Sequence, residues 1–81
     1  MNKAAIKSTI AAVLAGIAPE AELDEVPADR NLREELDIDS YDFLSLLIGL
    51  NEQLGVDIPE VDYEKLLTLD NLIDYLAERL D

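Results

Sequence analysis

Cysteine and histidine are both absent from the 81 residues. Without cysteine the chain has no disulfide and no thiolate of its own. Without either residue, a zinc site, a Ser-His pair and a Cys-His pair are excluded. Aromatic residues make up only 5%, and there are three Gly and three Pro. Bases are scarce too: six Lys and Arg stand against nineteen Asp and Glu, a formal net charge of −13. A nucleic-acid binder needs the opposite sign, and an anionic membrane surface would repel such a chain. No apolar run approaches the length of a membrane span. Residues 1–7 lack the apolar stretch and cleavage site of a signal peptide, so the expected compartment is the cytoplasm.

Ala, Leu, Asp and Glu dominate instead. At 49% hydrophobic residues the chain is too apolar to be disordered, despite its charge. Its length suits one domain, residues 1–81, with one core. The balance favours packed helices over a sheet. Such acidity fits protein partners with basic docking patches, reached by electrostatic steering. By itself it would equally serve to keep a small domain soluble.

Apolar periodicity marks the helices. Ile6, Ile10, Val13, Leu14 and Ile17 recur at helical spacing from about Asn2 to Ile17, with Gly16 and Pro19 marking the end. Pro19 to Leu36 is a long acidic connection, pinned by Leu23, Val26, Leu32 and Leu36. Asn31 followed by Glu34 resembles a capping box and predicts one short helical turn there. Asp39 is a good N-cap for a second helix, and Asp42 adds negative charge to its first turn. Phe43, Leu46, Leu47, Leu50 and Leu54 form its inner stripe, and Gly55 stops it. Pro59 opens a short third helix over about Glu60 to Leu66. Thr68 caps the last helix, whose inner stripe is Leu69, Leu72, Ile73, Leu76 and Leu80. The expected fold is all-α: a small four-helix bundle with a long loop between the first and second helices and a short third helix.

The stretch Leu36-Asp37-Ile38-Asp39-Ser40-Tyr41-Asp42 holds the chemistry. Taken alone, Asp39-Ser40 is no more than a helix cap and the residue after it. An EF-hand loop starting at Asp37 fails, because its fifth, sixth and twelfth positions are Tyr41, Asp42 and Ile48; no metal site is expected. A nucleophilic Ser40 would need a base nearby, and the chain offers no His, so it is not expected to be an enzyme. The surroundings of Ser40 are more telling. Ser40 begins the central helix after a long loop, Gly55-Val56-Asp57-Ile58-Pro59 follows that helix, and Thr68-Leu69 opens the last one.

In this arrangement the chain resembles the acyl carrier protein family along almost its whole length. The family motif is Asp-Ser-Leu, read here as Asp39-Ser40-Tyr41, and the Gly-x-x-Ile-Pro element is in place. The resemblance implies a monomeric carrier with covalent 4′-phosphopantetheine on Ser40, holding an acyl or aminoacyl group as a thioester. It implies as partners a phosphopantetheinyl transferase, an acyl- or amino acid:carrier protein ligase and downstream transferases. An anion on Ser40 would sit favourably at a helix N-terminus. Three departures stand out. Asp37 replaces the family's usual Gly, Tyr41 its usual Leu, and Ser45, Asn51 and Gln53 stand where fatty-acid carriers are often acidic. The outward face of the helix, Tyr41, Leu44 and Ile48 rimmed by Asp42 and Glu52, is the expected partner-reading patch. This points to a specialised carrier rather than housekeeping fatty acid synthesis. The run Asp-Ile-Asp-Ser-x-Asp-Phe-Leu also resembles carriers served by amino acid:carrier protein ligases. The alternative is a non-carrier acidic helical interaction module.

Overall fold

A computed structural model describes residues 1–80. Helix α1 spans Lys3–Ile17. Asn2 is its cap rather than its first residue, with Oδ1 accepting the Ala5 N–H at 2.7 Å. The helix passes through Gly16 without ending. It stops one residue later because Pro19 bars the α conformation at Ala18. Ile6, Ile10 and Leu14 are its buried stripe.

The long connection is pinned as its apolar residues predict. Leu23, Val26 and Leu32 are buried, and Leu36 is half-buried against the core. It also contains a single 3₁₀ turn at Leu23–Glu25 and a short helix, α2, at Leu32–Leu36. Asn31 caps α2 by accepting the N–H groups of Arg33 and Glu34. Two backbone bonds tie this stretch to the start of the last helix: Leu32 N–H to Leu67 C=O at 2.7 Å and Asp70 N–H to Ala28 C=O at 3.0 Å.

Past α2 the chain turns sharply. Asp37 takes the left-handed conformation, φ 54°. The N–H of Ile38 returns to the Arg33 C=O and that of Asp37 to the Glu34 C=O, the bond pattern of a Schellman end. Glycine suits this conformation best, and Asp tolerates it at a cost in strain.

Helix α3, Ser40–Leu54, runs through the middle of the fold. Phe43, Leu46, Leu47 and Leu50 are buried, while Leu54 is half-buried. Gly55, at φ 68°, ends the helix. The next segment, Glu60–Leu66, is a 3₁₀-helix rather than an α-helix, and Pro59 stands just before it. Helix α4, Leu69–Leu80, buries Leu69, Leu72 and Leu76. Thr68 caps it, its Oγ1 accepting the Asn71 N–H at 3.2 Å.

Helix α1 packs against α3 and α4, and α4 against the 3₁₀ segment. The buried apolar residues form one cluster. The α1–α3 crossing is close: a Cβ on Gly49 would lie 2.5 Å from Val13 Cγ1. The expected all-α bundle, with its long first loop and short third helix, is the one observed.

Candidate functional site

The site begins at the junction between the Asp37 turn and α3. Ile38 and Phe43 are both buried. They anchor the chain two residues before Ser40 and three after it, and Ser40 itself stays exposed. Asp39 is extended and caps the helix, its Oδ1 accepting the Asp42 N–H at 2.8 Å. Its C=O accepts the Phe43 N–H at 3.0 Å. Among the described residues, the N–H groups of Ser40 and Tyr41 have no protein acceptor. A hydroxyl at the first position of a 15-residue helix thus sits beside two free donors and the positive end of the helix dipole.

A furrow runs from Ser40 along the seam between α3 and the 3₁₀ segment. A cavity of about 370 Å³ is lined by Ser40, Tyr41, Leu44, Glu60 and Tyr63. A second, of about 300 Å³, is lined by Ser40, Arg33, Phe43, Leu44, Tyr63, Glu64 and Leu67. Further along, about 340 Å³ opens between Leu47, Ile48, Asn51, Ile58, Pro59 and Tyr63. Tyr63 lines all three.

The far wall is held by polar contacts. Tyr75 on α4 donates its hydroxyl to Asp62 Oδ2 at 2.7 Å, and Lys65 approaches Oδ1 at 3.4 Å. The Arg79 guanidinium lies 3.4 Å over the Tyr75 ring and 3.9 Å from Asp62 Oδ2. The Tyr75 hydrogen bond, with Lys65 and Arg79 behind it, holds the Asp62 carboxyl below its ordinary range, although burial acts the other way. Burial and the bond to Asp62 push the Tyr75 phenol up. This cluster fixes the 3₁₀ segment to α4 and leaves its α3 side open.

The residues expected to read partners fall in two environments. Tyr41 is 75% exposed and Ile48 49%, and Glu52 is also exposed. Asp42 and Leu44 are half-buried. Leu44 lies one turn after Ser40 and lines both cavities at the serine, so it belongs to the furrow wall as much as to the outer face. Sequence reasoning missed Tyr63 and Arg33. Their place is set by tertiary contact across the seam, which neither the capping signal around Arg33 nor the helix expected around Tyr63 reveals.

The serine has no imidazole beside it, the usual activating base. Asp39 is engaged in capping, and no His exists in the chain. Among the described residues, no group of His, Cys, Asp or Glu is placed to hold a metal ion, and no helix is long and apolar enough to cross a membrane. An exposed hydroxyl at a helix start, beside a furrow, suits a covalently attached anionic group supplied by another protein.

A family model described as a phosphopantetheine attachment site matches residues 5–76. The chain belongs to the acyl carrier protein family. An acyl carrier protein of Thermosynechococcus vestitus is 30% identical over 83 residues, covering 99% of this chain and 98% of its own. One from Rubrobacter xylanophilus is 37% identical over 54 residues, 67% of each chain. One from Lactobacillus johnsonii is 38% identical over 53 residues, 65% of this chain and 66% of its own. As a member of the family this chain is a carrier and not an enzyme, and its prosthetic group is covalent 4′-phosphopantetheine. The residues around Ser40 fit that group: a free hydroxyl, two unclaimed N–H donors and a furrow lined by Tyr41, Leu44 and Tyr63, with Glu60 the acid among them.

Proposed function

We propose that Ser40 carries the arm, and that the chain holds an acyl or aminoacyl group and presents it to enzymes of a specialised pathway in the cytoplasm. When bound, the arm supplies the thiol that holds cargo as a thioester. The observation that carries the assignment is the exposure of the Ser40 hydroxyl between two buried anchors, at a helix start with free N–H donors. Ser45 is half-buried and Ser8 lies inside α1. With no imidazole in the chain, we expect the serine proton to pass to the transferase. Asp39 serves by fixing the helix start, so that the hydroxyl keeps one position.

The specialised reading rests on α3. Its acids are reduced to Asp42 and Glu52, with Asp39 at the cap. Tyr41 and Ile48 offer apolar area on its outer side, with Leu44 at the furrow edge. We expect contact area from the apolar residues and steering from the acids, onto a ligase and transferases with basic docking patches. The test of the carrier assignment is intact mass after incubation with coenzyme A and a broad-specificity phosphopantetheinyl transferase. Wild type should gain one arm and Ser40→Ala none; an arm on Ser40→Ala would overturn the assignment. For the docking face, Glu52→Lys should slow loading by the cognate ligase mainly at low salt, where steering is strongest.

A further inference from the structure

We infer that Arg33 anchors the phosphodiester of the arm, holding its first segment in the cavity beside Ser40. This rests on Ser40 as the attachment point. The chain has six basic residues and nineteen acidic ones, so a base without a carboxylate partner is unexpected. Five of the six have one. Lys3 pairs with Asp74, Lys7 with Asp24 and Arg30 with Glu35; Lys65 and Arg79 share Asp62. Among the described residues Arg33 pairs with none, although Glu34 and Glu35 follow it and Glu64 lines the same cavity.

The Arg33 Nε is buried and has no hydrogen-bond partner. A buried donor left unmade is destabilising, and more so on a charged group. The donor lies on a side chain that lines the 300 Å³ cavity together with Ser40. Its backbone is fixed from both sides. The Arg33 N–H goes to Asn31 Oδ1 at 2.9 Å, and its C=O accepts from Ile38 at 3.1 Å. From a backbone anchored in this way, the guanidinium offers several N–H donors, which suits an anion with several acceptor oxygens such as a phosphodiester.

Of the chemistries that fit, the arm's phosphate is the one that Ser40 itself brings to this cavity. A carboxylate on the cargo would lie at the far end of the arm. The phosphate also needs a counter-charge, since Asp39 and Asp42 stand within two residues of the serine in the chain and Glu60 and Glu64 line its two cavities. The free N–H groups of Ser40 and Tyr41 offset part of that repulsion, and Arg33 supplies the only full positive charge on the cavity walls.

The test compares ¹⁵N-labelled full-length protein before and after arm attachment. Intact mass comes first: a gain of one arm that is lost in Ser40→Ala. Without that gain, the attachment reading and this inference fail together. The Arg33 Nε–Hε cross-peak, assigned by its loss in Arg33→Lys, should then move by several line-widths between the two forms, with those of Arg30 and Arg79 fixed. Arg33→Gln should still accept the arm but shift its ³¹P resonance, and Arg33→Lys should restore that resonance part-way. An unmoved Arg33 cross-peak on a protein bearing the arm at Ser40 would overturn the inference and leave the attachment reading standing.

Discussion

The two sides of α3 are built differently. Toward α1 the contact is apolar and close. Leu46 and Leu50 are fully buried, and Gly49 meets Val13 with no room for a methyl group. Toward the 3₁₀ segment there is a furrow instead, and that segment is secured to α4 by Asp62, Tyr75 and Arg79 rather than to α3. The helix is therefore fastened along one side and left accessible along the other. This division suits the proposed role, in which the start of α3 holds still and its outer side is the expected docking face.

The largest effect should come from breaking the fastened side. Leu46→Ala should lower stability by about 2–5 kcal/mol in a denaturant titration. Ile48→Ala, two residues on but facing outward, should change it by less than about 0.5 kcal/mol. The same Ile48→Ala should slow loading by the cognate ligase at every salt concentration. If Ile48→Ala destabilises as much as Leu46→Ala, the two sides do not differ as described.

Next is the crossing itself. Gly49→Ala improves helix propensity but forces Val13 to shift, so it should destabilise by about 1–2 kcal/mol. In a Val13→Ala background, where the methyl group has room, Gly49→Ala should become neutral or stabilising. A cycle of the four proteins reads the reversal of sign directly. Equal effects in both backgrounds would show that the crossing is not tight.

The accessible side should respond to pH where the fastened side does not. Asp62 has a depressed pKa in the folded protein, led by the bond from Tyr75. Its contribution is therefore present above the ordinary carboxylate range, near pH 4, and is lost as pH falls through the folded value. Low pH also relieves the repulsion of a −13 chain, so wild type alone does not isolate it. The stability difference between wild type and Asp62→Asn does: it should be full at pH 7 and shrink below pH 4. A difference constant with pH would remove Asp62 as the clamp.

Most of the fastened side was legible in the sequence, because its signals are local. Asp39, Thr68 and Gly55 act on their own helix ends, and the Leu46 stripe follows from period alone. The furrow was less so. The Glu60–Leu66 segment reads as a helix after Pro59, but its 3₁₀ form and its bond to Tyr75 depend on a partner thirteen residues away. Arg33 sits in an acidic run that gives no hint of a shared cavity with Ser40. The motif singled out Ser40 as the candidate, and the structure adds its exposure at a helix start; the Asp37 departure from glycine acquires a physical meaning only from its φ of 54°.

That position yields a small expected gain. Asp37→Gly relieves left-handed strain and gives back part of the gain as chain entropy. Stability should rise by about 0.5 kcal/mol, with arm attachment unchanged. A loss of stability would mean that the Asp37 side chain contributes a contact of its own.

The central claim is that one hydroxyl, at the start of α3, bears the arm. Trypsin cutting after Arg33 and Lys65 releases residues 34–65, which contain Ser40 and Ser45. Tandem mass spectrometry of that peptide from the modified protein should place the whole added mass at Ser40, with fragments that contain Ser45 but not Ser40 unmodified. Added mass on Ser45, or on the peptide that contains Ser8, would contradict the account.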